Sequence, residues 1–137
     1  MNKKQQQEEA KKPVSIHHGA DGKPDGILVQ TLDEAFILAL HDEKDLMTYD
    51  KAEKYDLPTA KQAHLYGAYL DEINKALDEA GGDRLMGWYW TKTPSAGSVN
   101  TQLVFYGTYG YLIYGTRIGS SRVRVSLALE YEKTLKP

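Results

Sequence analysis

The stretch from Gly87 to Val125 constrains this chain more than any other. It opens as Gly87-Trp88-Tyr89-Trp90-Thr91-Lys92-Thr93 and runs through Tyr106-Gly107-Thr108-Tyr109-Gly110-Tyr111. It closes on Arg122-Val123-Arg124-Val125 and holds both tryptophans of the 137 residues. It contains no Cys or His, and no acidic residue follows until Glu130. Apolar side chains at alternate positions need a sheet with a buried face. The Tyr, Ser, Thr and Gly between them need a surface. The stretch reads as a β-rich binding face, and what precedes it reads as the scaffold that holds that face.

The length supports one domain with a core of its own. A formal net charge of -2 gives no general electrostatic footprint for nucleic acid. The lack of cysteine removes disulfides, thiolate metal sites, Cys nucleophiles and cysteine redox chemistry together. No apolar run approaches transmembrane length, and no apolar secretory core opens the chain. The expected address is the cytoplasm, or a virion or other particle assembled from it.

Residues 1–25 read as a flexible tail and lead-in, 26–131 as the folded domain and 132–137 as a loose end. Met1 to Lys12 is Lys, Gln and Glu with little to bury, hence disordered or a frayed helix. Pro13 to Asp25, with Gly19, Gly22 and Pro24, predicts an irregular lead-in. Its His17-His18 pair beside Asp21 lacks the further ligands a metal needs. Gly26–Gln30 and Ala35–Leu40 predict a hairpin across Thr31–Glu34. The acids of His41–Asp45 lack the glycine and terminal Glu of a calcium loop. Thr48 can cap a short helix from Tyr49 to Tyr55, with Asp50 in its first turn. Thr59-Ala60-Lys61-Gln62 is a capping-box pattern that opens the main helix. Ala63, Tyr66, Leu70, Ile73 and Leu77 give it one apolar stripe, and Gly81-Gly82 ends it. Gly67 marks a kink or a break into two helices. His64 has no second ligand in phase and reads as a surface or half-buried residue.

After the Trp segment, Thr101–Tyr106 and Tyr111–Tyr114 predict strands around a Gly107–Gly110 turn. Val123, Val125, Leu127 and Leu129 alternate with Arg122, Arg124, Ser126 and Ala128, which predicts a last strand with Val and Leu inward. The unaided fold class is α+β: one main helix and a short one packed on antiparallel strands.

Certain of these residues resemble a known family. They are Leu57-Pro58-Thr59 with Gln62, Asp71-Glu72-Ile73-Asn74, Ala80-Gly81-Gly82, Tyr89-Trp90-Thr91-Lys92-Thr93 and Val123-Arg124-Val125. The chain resembles, from about Gly26 to Leu129, a Bacteroidetes family related to the fibrobacter-paralogue and Lcl C-terminal domains. It departs from that pattern at Thr91-Lys92, where Ser-Ser is usual, and at Ser126, where an apolar residue is common. The resemblance implies a single C-type-lectin-like domain with paired terminal strands and a loop-rich region between them. Some proteins of that fold are variable proteins of diversity-generating retroelements. Rewriting the adenines of an Asn codon cannot yield Lys, Gln, Glu, Met or Trp, and Tyr106 to Ser121 contains none of these. A Tyr-rich hairpin with Gly turns would show the same composition.

The resulting expectation is a non-enzymatic ligand-binding module without cofactor or metal. The residues expected at the ligand are Thr93, Ser95, Tyr106, Thr108, Tyr109, Tyr111, Tyr114, Thr116, Arg117 and Ser120. Tyr gives large, rigid contact area with a hydroxyl, and Ser, Thr and Gly give adaptable hydrogen bonds, the palette of antibody paratopes. The expected partner is a protein or a glycan for phage or surface recognition, with nucleic acid and membrane excluded and an oligomer left open. No calcium-type sugar motif is present. The alternative is a structural or assembly domain of a phage particle or surface appendage. For catalysis, Ser95, Ser98, Ser120 and Ser121 have no evident His partner, and no Gly-x-Ser-x-Gly elbow exists. Arg122 and Arg124 suit an acidic ligand, or a structural role paired with acids such as Asp83 or Glu130, and the structural role is favoured.

Overall fold

The computed structural model describes residues 12–95 and 100–129. Its strands are β1 (Val14–His18), β2 (Pro24–Gln30), β3 (Ala35–Leu38), β4 (Trp88–Pro94), β5 (Thr101–Tyr106), β6 (Tyr111–Thr116) and β7 (Ser126–Ala128). Its helices are α1 (Tyr49–Ala52), α2 (Ala60–Ala68) and α3 (Leu70–Ala80). The class is α+β with two antiparallel sheets, one ordered β1-β2-β3-β7 and the other β4-β5-β6. The expected disorder of the first residues and the loose end after Glu130 fall outside the described residues. Among the described residues no helix is long and apolar enough to cross a membrane.

The β2–β3 hairpin forms where alternation places it. Ile27 stands opposite Leu38 and Val29 opposite Phe36, so four fully buried side chains share one face. The irregular lead-in is corrected: Val14–His18 is a strand paired with β2, with a bulge between His17 and His18. Val14 and Ile16 are partly buried and pack against the core, which gives this segment apolar area to hide. The implied pairing of the terminal strands is also corrected. β1 and β7 lie at the two edges of one sheet with the hairpin between them.

The helices follow their signals closely. Thr59 Oγ1 accepts the Gln62 N–H and Gln62 Oε1 accepts the Thr59 N–H, each at 3.1 Å, a complete capping box. The Ala60 N–H finds Thr93 Oγ1 at 2.9 Å, so β4 supplies a further cap to α2. Thr48 stands before α1 without a side-chain cap bond, and α1 ends at Ala52 rather than Tyr55. The main helix breaks at Tyr69 into α2 and α3. Gly67, inside α2, has another reason to be glycine: a Cβ there would collide with the Gly110 carbonyl oxygen of the β5–β6 turn. Gly81 closes α3 with φ 80°, the left-handed cap. Ala63, Tyr66, Ile73 and Leu77 are fully buried and Leu70 half-buried, as the stripe requires.

These faces meet in two cores. In the larger, Tyr66 lies 5.6 Å from Phe36 of the first sheet and 5.5 Å, edge-on, from Phe105 of the second. In the smaller, Trp90 and Val104 on the other face of the second sheet pack with Tyr49, Ala52, Leu57 and Val123. The β4-β5-β6 sheet is therefore covered on both faces near β4 and less so toward β6.

The last segment corrects the expected alternation. Only Ser126–Ala128 is a strand, and Arg124 and Ser126 are buried while Leu127 and Leu129 are exposed. The cause is that Val123 to Val125 crosses between the sheets. Its carbonyls accept the Glu43 and Ala39 N–H groups. Val123 then enters the smaller core and Arg124 the polar seam between sheets. Arg124 Nε donates to Asp42 Oδ1 at 2.7 Å, Nη1 to the Ala39 and Leu40 carbonyls, and Nη2 to the Asp83 carbonyl at 2.7 Å. Tyr89 Oη donates to Asp42 Oδ2 at 3.2 Å. Burial pushes the Tyr89 hydroxyl up to about 12, and the neighbouring Asp42 carboxylate adds to the rise, so the phenol keeps its donor proton. The structural role expected for the arginines holds for Arg124 through Asp42. The Asp83 carboxylate is taken by His41 at 2.9 Å instead.

Two substitutions check this packing in denaturant melts. Leu77→Ala, which removes a fully buried side chain, is expected to cost about 2–5 kcal/mol. Gly67→Ala is expected to destabilise as well, although Ala in a helix interior ordinarily gains about 0.5–1 kcal/mol over Gly. A stabilised Gly67→Ala variant would show that α2 does not touch the β5–β6 turn.

Candidate binding face

The second sheet sorts its aromatics by register. Trp88 stands opposite Tyr106, and Tyr106 opposite Tyr111, so three rings form one row on one face. Trp90, Val104 and Ile113 form the next row of that face. Trp90 and Val104 are covered by the smaller core, whereas Ile113, on the outer strand, is not. The Trp88 row lies beyond that cover.

Tyr106 is the centre of the resulting cluster. Its ring stacks on Trp88 at 4.1 Å with an interplanar angle of 28°. Tyr109 and Tyr111 both lie 5.5 Å from it, tilted by 54° and 58°. Tyr109, at the tip of the turn, is 74% exposed. The turn beneath is fixed by backbone. The Gly107 N–H meets the Gly87 carbonyl, and the Gly110 N–H the Tyr106 carbonyl, each at 2.7 Å. Thr108 Oγ1 accepts the Gly87 N–H at 3.1 Å. Gly110 holds φ 81°, which favours glycine. The cluster is thus a set of exposed rings on a rigid hairpin end.

The expected site residues divide. Tyr106, Thr108, Tyr109 and Tyr111 come together in this cluster. Tyr114 and Thr116 point to the opposite face of the same strand, where Tyr114 pairs with Leu103 and Thr116 with Thr101. Both are exposed, as is Ser120 in the loop that follows. Thr93 is half-buried with its hydroxyl accepting at the α2 cap, and Ser95 is buried at 8% exposure. Arg117 is committed within the fold. Its Nε and Nη2 reach Gln102 Oε1 at 3.3 and 3.1 Å, and its guanidinium lies 4.9 Å from the Tyr49 ring centre. Gln102 is itself buried and donates to the Thr91 carbonyl at 3.0 Å.

Two exposed members were not singled out in the sequence, Trp88 and Ile113. The signal for Trp88 is its two-residue spacing from Trp90, which places both on one face. Pairing with Tyr106 separates their fates, and that pairing depends on the β4–β5 register. Among the described residues no group of three or more His, Cys, Asp or Glu is arranged to hold a metal. His64 is exposed on α2, and His17 pairs with Asp25 at 2.6 Å.

No family model matches the chain, and no curated protein matches its sequence.

The two tryptophans supply a direct check. Trp90 is 1% exposed and Trp88 is 39% exposed. Trp88→Phe is expected to remove the emission that acrylamide quenches readily, leaving a blue-shifted band. Trp90→Phe is expected to leave the quenchable, red-shifted component. The reverse assignment would invert the inside and outside of this sheet.

Proposed function

We propose that this chain is a non-enzymatic recognition module that binds a protein ligand through the Trp88–Tyr106–Tyr109–Tyr111 cluster. The observation that carries the reading is the cluster itself, four rings at a solvent-facing hairpin end whose backbone is already fixed. A pre-ordered surface loses little entropy on binding, and Tyr and Trp are the residues that most often dominate interface energetics. Depletion of charge at the centre of a patch is a further mark of protein interfaces. From Tyr106 to Ser121 there is no Asp, Glu, Asn or Gln, and the single Arg is held by Gln102 and Tyr49.

The same facts weigh against a glycan. Sugar hydroxyls are gripped by planar amides and carboxylates, which this segment lacks. A pyranose stacks on an open flat ring, whereas Trp88 and Tyr106 cover one another at 4.1 Å. The C-type-lectin-like topology, and its use as a variable protein rewritten by a retroelement, fit a scaffold with an adaptable end and belong to this reading. A reverse-transcriptase gene beside a near-copy of the Tyr106–Ser121 coding segment is what the retroelement part requires.

The test is a pair of screens on the folded chain. A displayed random-peptide library is expected to return apolar and aromatic binders, and a glycan array to stay blank. Tyr109→Ser is expected to weaken the selected peptides by about 1–2 kcal/mol or more. Tyr109→Ser, Thr116→Ala and Ser120→Ala combined are expected to shift stability by no more than about 0.5 kcal/mol each. Glycan hits abolished by Tyr109→Ser, or peptide binding indifferent to it, would contradict the assignment.

A further inference from the structure

The polar tips of the aromatic residues fall into two groups. On the covered part of the second sheet, Trp90 Nε1 donates to the Met47 carbonyl at 2.7 Å and Tyr89 Oη donates to Asp42. At the exposed cluster, among the described residues, the Trp88 indole N–H and the hydroxyls of Tyr106, Tyr109 and Tyr111 are bound to nothing within the fold. The indole can only donate, and a tyrosine hydroxyl donates readily. No carboxylate or side-chain amide stands between Trp88 and Thr93, or between Tyr106 and Ser121, to accept in return. The face therefore suits a ligand rich in acceptors and poor in donors.

Its register adds a spacing. Trp88, Tyr106 and Tyr111 form one row across β4, β5 and β6. Neighbouring strands lie about 4.8 Å apart, so the ends of the row are separated by about 9.5 Å. Polyproline II has three residues per turn and a rise of about 3.1 Å each, so every third side chain returns to one side after about 9.3 Å. Such a segment laid across the strands sets residues i and i+3 against the two ends of the row.

We infer that the ligand of this face is a proline-rich segment in the polyproline II conformation, laid across β4, β5 and β6. That conformation has no internal hydrogen bonds, so its carbonyls are open to the indole N–H and the hydroxyls. Proline has no N–H, so it brings no backbone donor for the face to leave unmatched. Its ring offers only C–H groups, which the negative faces of Trp88, Tyr109 and Tyr111 attract, and all three residues are exposed. The lack of acceptors that weighs against a sugar, whose hydroxyls need them, is no handicap to proline. Other modes of holding a peptide fit less well. Strand addition needs an edge, and the cluster is centred on β5, the middle strand. A docked helix has already used its carbonyls internally. An acidic or phosphorylated motif needs free arginines, whereas Arg117 is held by Gln102 and Tyr49 and Arg122 reaches Asp42 at 3.5 Å.

The inference rests on the recognition reading and names its ligand, and its test separates the two. The probe is end-blocked decaproline, roughly three turns of polyproline II, titrated into the full chain. Trp90 is buried, so a change in emission reports Trp88. Decaproline is expected to bind saturably, shift the emission to the blue and shield it from acrylamide. Replacing alternate prolines by alanine is expected to weaken binding about tenfold, through lost ring contacts and lost preorganisation. By calorimetry, Trp88→Phe, which keeps a ring and loses the N–H, is expected to weaken it about fivefold. Tyr109→Ser, at the exposed tip, is expected to weaken it about tenfold and does not depend on Trp88→Phe folding. Proline-free library peptides that bind through Tyr109, with decaproline inert, would overturn this inference and leave the recognition reading intact. An alanine-substituted peptide that binds as well as decaproline would do the same. Failure of decaproline and of every library peptide would remove both. Phosphatidylcholine vesicles that shift the emission while decaproline does not would assign the face to a membrane surface and equally contradict the inference.

Discussion

The Arg124–Asp42 ion pair is the constraint on which the rest of the structure leans. The Arg124 side chain is entirely shielded from solvent and that of Asp42 is largely so. A buried guanidinium is tolerable only when its donors are satisfied. Arg124 meets this with the Asp42 carboxylate and three backbone carbonyls drawn from Ala39, Leu40 and Asp83. Those carbonyls belong to the chain leaving β3 and the chain leaving α3. Tyr89, on the second sheet, donates to the same carboxylate. One polar seam therefore joins the first sheet, the end of the long helix and the second sheet.

The aromatic face inherits its order from that seam. Tyr89 is held by Asp42 from one side and receives the Met86 N–H at 3.1 Å from the other. This fixes the start of β4 and, through Gly87, the backbone to which Gly107 and Thr108 are tied. The Gly67–Gly110 contact holds the same turn from the helix side. Scaffold and face thus share backbone contacts while the exposed rings add little to the core. A surface built this way can change its outward side chains without changing its shape, the property a recognition module needs.

Local signals in the sequence carried much of the scaffold. The Thr59–Gln62 capping box, the Gly81 cap, the stripe from Ala63 to Leu77 and the β2–β3 hairpin are all set by spacing within one element. Failures came where two distant segments decide the outcome. Val123 to Leu129 alternates like a one-sided strand, yet crossing between sheets buries Arg124 and Ser126 and exposes Leu127. β1 was hidden because its apolar residues are few and its histidines, with Gly19 and Gly22 just after it, suggested a loop. In the candidate site, the Tyr-rich turn was legible from composition. The use of Thr93 in a helix cap, the burial of Ser95 and the tie of Arg117 to Gln102 were not, because the first and last depend on partners in other elements and the burial on how those elements pack. Trp88 was missed for the same reason.

A double-mutant cycle on Arg124 and Asp42 measures the seam most directly. Arg124→Met and Asp42→Asn would be compared singly and together by equilibrium denaturation. Asp42→Asn leaves the buried Arg124 guanidinium without its counter-charge and is expected to cost about 3–5 kcal/mol; Arg124→Met leaves Asp42 with Arg122 at 3.5 Å and is expected to cost less, with the double variant recovering a good part of the summed loss. In parallel, each single variant should lose protection from hydrogen exchange at Gly107 and Gly110. Single losses under about 0.5 kcal/mol, additive in the double variant and with the turn still protected, would contradict the account.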